Sequence, residues 1–174
     1  SCGNPKCDSP GKHPRTAHGL KDATELEITT REWWAKWPNA NIGVLTDGLI
    51  VLDFDPRHNG YESLNKMRER YGPFPETRSH QTGGGGLHLI YRSPNHGHHR
   101  NAINFAGYQG VDIRADGGYI CAAPSNHISG NLYEVLDPSP IADCPAWLVE
   151  LLNQRGKPLT AQAIADGQPI IEGQ

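Results

Sequence analysis

No stretch of this sequence is apolar for long enough to cross a bilayer, and no signal-peptide pattern opens it. No membrane span is therefore expected. A basic excess is also missing. The formal net charge is -3, so no global positive field draws the chain to nucleic acid, and any such contact has to come from local patches. Cysteine is sparse: four residues, two near a histidine and two scattered, unlike a dense secreted disulfide scaffold. A reducing, cytoplasmic compartment is expected, in a bacterial cell or a phage-infected host. There is no internal repeat and no low-complexity run.

What is present suits one globular domain. The 174 residues can bury a core, and 36% hydrophobic with 20% charged residues is ordinary for a globular chain. Gly 20 and Pro 14 indicate many turns. The compact part is expected over residues 1–156, with 1–25 loop-like and 157–174 a tail or short helix leading to further domains. The opening "SCGNPKC" has no Met and reads as cut from a longer polypeptide.

Along the chain, "ITTREWWAKWP" predicts a helix, with Thr29 and Glu32 as a capping box, Trp33, Trp34 and Trp37 on one face, and Pro38 as the stop. "NIGVLTDGLIVLDFD" reads as two strands in a hairpin closed at Thr46-Asp47-Gly48. "GYESLNKMRERYG" predicts a helix with Tyr61, Leu64, Arg68 and Tyr71 in register and Gly72 at its end. Strands follow in "TRSHQ", "LHLIYR", "GVDIR", "GYICAAP" and "LYEVL", the third and fourth forming a second hairpin around "ADGG". "PAWLVELLNQRG" closes with an amphipathic helix, and "LTAQAIADG" is a further short helix or tail. The sum is α+β with a mainly antiparallel sheet rather than a doubly wound fold.

The chemistry gathers at acids. In a strand, residues i and i+2 share a face, so Asp53 and Asp55 project side by side at the end of the apolar run "LIVL". Two such carboxylates repel unless a cation lies between them. Mg²⁺ is held by one or two carboxylates plus substrate phosphates. The alternative is a solvated strand end, with Asp55-Pro56 starting a turn. Asp112, flanked by Val111 and Ile113, is a third acid, and three can hold two metals about 4 Å apart for phosphoryl transfer. Asp116 belongs to the turn before Gly117-Gly118.

"QTGGGGLHLIYR" carries glycines 83 to 86. Such a run is costly to order, so it is either a flexible turn or a place where backbone approaches something closely. It matches no Gly-Lys-Ser/Thr or dinucleotide pattern. His88, two residues on, can offer a donor to a triphosphate, as can Arg114. Near the start, Cys2, Cys7 and His13 suit structural Zn²⁺ but are one ligand short, with His18 an alternative fourth; a metal-free terminus is the other reading. Cys121 reads as core. His96, His98, His99 and Arg100 form a loop read as solvated or as a weak phosphate contact, ahead of a metal site. Lys12, Arg15 and Lys21 offer a basic patch. Trp33 and Trp34 can stack on bases, although helical spacing favours core packing for at least one.

Taken together and in order, "GKHPRTAHGLKDAT", "WWAKWPNANIGVLTDG", "LIVLDFDP", "GGGGLHLIYR" and "GVDIRADGGYICAAPSNHISGNLYEV" closely resemble the bifunctional primase-polymerase (prim-pol) domain of the archaeo-eukaryotic primase superfamily. The resemblance runs from about Lys12 to about Leu152. It implies an RRM-like catalytic sheet packed with a smaller N-terminal α/β unit, the active site lying between them. It implies Asp53, Asp55 and Asp112 as ligands of Mg²⁺ or Mn²⁺, and His88 as a contact to nucleotide phosphates. Arg114, Ser125, His127, Gly85 and Gly86 are expected near the nucleotide. The implied activity is templated nucleic-acid synthesis from nucleoside triphosphates on a single-stranded DNA template, with primer synthesis, for a plasmid, phage or integrated element. A helicase domain is the usual companion. A nuclease or phosphodiesterase using the same acids, and a non-catalytic zinc-stabilised DNA-binding module, are the rivals.

Overall fold

A computed structural model of the chain describes residues 6–7, 9–94 and 99–154. The elements are α1 (Glu27–Lys36), β1 (Ile42–Leu45), β2 (Leu49–Phe54), α2 (Gly60–Tyr71), β3 (Ser79–Gln81), β4 (Leu87–Arg92), β5 (Val111–Arg114), β6 (Tyr119–Ala122), β7 (Glu134–Asp137), β8 (Ala142–Asp143) and α3 (Ala146–Gln154). The large sheet runs β5-β2-β4-β3-β7 and is antiparallel, with β8 added parallel to the end of β4. A small antiparallel sheet pairs β1 with β6. The class is α+β, as the sequence predicts.

Alternation within β2 builds the core. Ile50, Leu52 and Phe54 point to one face and are fully buried with Leu64 and Met67 of α2 and Leu148 and Leu152 of α3. Val51 points to the other face and packs with Ile90 and Ile120. Asp53 shares that second face where the covering ends. Tyr71 stacks on Trp147 at 4.5 Å, and Phe74 meets Trp147 edge-on, which fastens α2 to α3.

Both expected hairpins are corrected. β1 does not pair with β2, and β5 does not pair with β6. Each turn instead carries the chain from one sheet to the other, and the two turns bond to one another. Asp47 Oδ1 accepts from Gly117 N at 2.7 Å, Asp116 Oδ1 accepts from Gly48 N at 3.0 Å, and Thr46 Oγ1 donates to Ala115 O at 2.6 Å. β1–β2 and β5–β6 thus form one bent ribbon. Leu45 faces Tyr119 before the bend, while Val51 faces Arg114 after it, one residue out of step.

Two helix readings are corrected as well. α1 starts at Glu27 with Leu26 as its cap, so Thr29 and Glu32 lie inside the helix. Its tryptophans are not core: α1 has no buried residue. α2 buries Gly60, Ser63, Leu64 and Met67, leaving Tyr61 and Arg68 outside. His99 is buried rather than solvated. His96, His98 and "LTAQAIADG" lie outside the described residues. Among the described residues no helix is long and apolar enough to cross a membrane.

Candidate active site

The large sheet places a transverse row of polar side chains on its second face. Asp112 of β5 stands opposite Asp53 of β2, Asp53 opposite His88 of β4, and His88 opposite His80 of β3. Directly opposite residues share a face at Cβ separations of about 5 Å. His88 Nε2 lies 3.5 Å from Asp53 Oδ1. His88 and His80 are both buried, and each has an Nδ1 without a hydrogen-bond partner.

Asp55 follows at the strand end, where the chain turns sharply. Its Oδ1 accepts from Arg57 N at 2.9 Å and caps the 3-10 turn Pro56–His58, so the turn reading also holds. The turn is wedged by close backbone. A Cβ on Gly60 would lie 2.6 Å from Asp55 N, and Gly110, at φ 68°, has no room for one against His58 O. Arg57 grips the carboxylate with Nε to Oδ1 at 3.0 Å and Nη2 to Oδ2 at 2.7 Å. Asp112 is held by one arginine bond and one backbone bond: Arg114 Nη2 donates to its Oδ2 at 2.9 Å, and Asn104 N to its Oδ1 at 3.2 Å.

These surroundings separate the acids. The Arg57 fork holds the Asp55 carboxyl down at about 2. Burial pushes Asp53 up, but His88, Arg114 and Lys12 more than reverse it, leaving it below its ordinary value. Burial pushes Asp112 up, and the charges of Asp53 and Asp55 add to this against Arg114. Three carboxylates on one patch form a hard-oxygen donor set suited to a divalent cation. In this conformation two of them are neutralised by arginines, and among the described residues no three His, Cys, Asp or Glu side chains converge on one point.

The other expected site residues divide. Gly85 takes φ 83°, open to only a few residue types, with nothing near the position of a Cβ. Gly86 is needed by the chain itself, since a Cβ there would lie 2.5 Å from Phe54 O, and Gly83 is needed because His127 rides on it. His127 bonds Ser129 Oγ at 2.9 Å, and burial and then the charges of Lys12 and Arg57 lower its pKa. Ser125 is buried, and its Oγ accepts from Ile42 N at 2.9 Å, so in this conformation its hydroxyl holds β1 and presents no open face to a nucleotide. At the start of the chain, Cys7 Sγ lies 3.1 Å from His13 Nε2. Cys2 is outside the described residues, and His18 is bonded to Asp22 at 2.9 Å.

Sequence reasoning passed over Arg57, His80 and Tyr133. Tyr133 is buried with its ring 6.3 Å from that of His88 and 6.0 Å from that of His127. Burial, then Cys121 and Asp53, raise its pKa. The signal for His80 was alternation in "TRSHQ" set against "LHLIY", readable once those strands are paired.

The structure defines an α+β domain with a mainly antiparallel sheet and an acid-histidine row across one face. Residues 5–147 match the family described as bifunctional DNA primase/polymerase, N-terminal, and the chain belongs to that family. The family makes it an enzyme of nucleotidyltransferase type, with DNA and nucleotides as substrates. No curated protein matches the sequence at a significant level.

Proposed function

We propose that this chain joins nucleotides on a single-stranded DNA template, beginning or extending a strand, by a two-metal mechanism at Asp53, Asp55 and Asp112. The observation that supports this most is the register: Asp112, Asp53 and His88 are consecutive cross-strand partners on one face. Mg²⁺ or Mn²⁺ held by the three carboxylates would lower the pKa of the attacking 3′-hydroxyl and neutralise the departing pyrophosphate.

The chain's own residues do the rest. Asp53, kept ionised by His88, is the carboxylate ready to hold charge at neutral pH. Arg57 and Arg114 balance Asp55 and Asp112 before substrate arrives, and a triphosphate gives each guanidinium an alternative anion to hold. His88, with His127 nearby, adds donor contacts to the phosphates. Gly85, in its left-handed conformation, lets the loop backbone lie close to the nucleotide. Cys7 and His13 are proposed as two ligands of a structural Zn²⁺, their contact at 3.1 Å supporting the pairing.

The test uses labelled nucleoside triphosphate, Mg²⁺ or Mn²⁺ and a single-stranded template. The expected result is template-dependent extension, lost by about 10³-fold or more in Asp53→Asn and Asp112→Asn variants with unchanged circular dichroism. Degradation without extension would instead favour the nuclease reading. Unchanged synthesis by both variants would remove the metal assignment.

A further inference from the structure

Beside the acid row, residues 10–23, α1 and the small sheet line a half-open cavity of about 440 Å³. That volume falls in the range of ligand sites. Trp33, Trp34, Trp37 and Tyr119 contribute walls, and Lys12 and Arg15 contribute cations. We propose that this cavity holds unpaired bases of the single-stranded DNA template as the strand passes the acids. The proposal rests on the polymerase reading above and gives it a template site.

Four observations carry it. First, α1 carries Trp33 and Trp34, with Trp37 as its C-cap, and buries no residue, so the indoles line a space rather than fill a core. Second, the cavity is built by the fold. Tyr119 Oη donates to Lys12 O at 2.6 Å, and Asn41 Nδ2 donates to Gly11 O at 3.1 Å and to Asn126 O at 2.7 Å, latching the N-terminal segment across the small sheet. Third, among the described residues no Asp or Glu lines it. A metal-bound triphosphate seeks the carboxylates of the large sheet, whereas a strand brings one diester charge per nucleotide and bare base faces. Aromatic platforms with a few cations match the strand. Fourth, the cavity and the acids adjoin: His127 lines the cavity, the ring of Tyr133 lies 6.0 Å from His127 and 6.3 Å from His88, and His88 Nε2 lies 3.5 Å from Asp53 Oδ1.

Three of the four tryptophans lie in this cavity, so tryptophan emission reports on it directly. The experiment titrates the whole chain with a short oligothymidylate in EDTA, without metal or triphosphate. Saturable quenching is expected. Trp33→Leu, which keeps an apolar side chain on the helix, weakens binding about tenfold. Lys12→Gln, whose backbone carbonyl still accepts from Tyr119, weakens binding and lowers the slope of log affinity against log salt by about 0.7. A change in that slope is something a merely structural role would not produce.

Asp53→Asn separates the two readings. It is expected to bind the oligonucleotide within about twofold of the wild type while losing synthesis. If it still synthesises, the metal assignment fails, and the cavity is judged on its own binding data. Wild-type affinity and salt slope in both Trp33→Leu and Lys12→Gln would overturn the proposal. So would displacement of the oligonucleotide by metal-free thymidine triphosphate at an equal concentration, which would make the cavity a free-nucleotide site.

Discussion

Arg57 holds both oxygens of the Asp55 carboxylate, at 3.0 and 2.7 Å, with its side chain 71% exposed. An exposed pair of this kind contributes about 1 kcal/mol. A cation approaching Asp55 must displace it. Arg57→Ala is therefore expected to bind Mn²⁺ about 3- to 5-fold more tightly in the absence of nucleotide, measured by electron paramagnetic resonance. Its affinity for a nucleoside triphosphate should fall, because the same guanidinium is then missing from the phosphates. Unchanged Mn²⁺ affinity would argue that Asp55 is not a ligand.

The glycine run divides by position. A Cβ on residue 83 would collide with the Cβ of His127, whereas one on residue 84 would make an ordinary contact at 3.6 Å. Gly83→Ala should cost about 1–3 kcal/mol in urea unfolding, and Gly84→Ala much less. Because the collision is with Cβ, His127→Ala should not rescue Gly83→Ala, but His127→Gly should do so in part.

Two desolvated thiols, the buried Cys121 and the half-buried Cys144, make the fold alkali-sensitive. Burial pushes the Cys144 thiol up to about 12 and raises Cys121 too. Tyr71 is also pushed up to about 12 by burial. A group raised on folding contributes its full stability below its unfolded pKa and loses it as pH climbs toward the folded value. For Cys144 that window opens near 9 and closes near 12. Stability should fall across it by at most about 1.4 kcal/mol per pH unit for each such group. Cys144→Ala should flatten the decline. At pH 8, iodoacetamide should label Cys144 in the folded protein about 10³-fold more slowly than in urea.

The paired turns should be energetically coupled. Asp47→Ala leaves Gly117 N without its carboxylate, and Asp116→Ala does the same to Gly48 N. Each should cost about 1–2 kcal/mol. The double variant should cost less than the sum, because either loss loosens the same junction.

Much of this was legible in the chain. β2 announces itself by "LIVL", and period-2 alternation alone puts Asp53 opposite to Leu52 and Phe54. The row across the sheet was not legible, because alternation fixes faces within a strand but not which strands are neighbours. The Asp-Gly signals at 47–48 and 116–117 mark real turns. They misled about pairing because Gly48 N and Gly117 N each bond to the other turn, and the strands flanking each turn belong to different sheets. The tryptophans misled in a different way. Their spacing on α1 is that of a core stripe, yet what they face is the cavity beneath residues 10–23, which no local pattern describes. Thr29-Glu32 looked like a cap, although Thr30 Oγ1 is the hydroxyl that bonds back, to Glu27 O at 2.8 Å.

Because β1 runs into β2 and β5 into β6, the small sheet is no lobe hung from a flexible tether. The two segments that bring Leu45 and Tyr119 to the cavity are the same ones that carry Asp53 and Asp112, a few residues away, to the acid row.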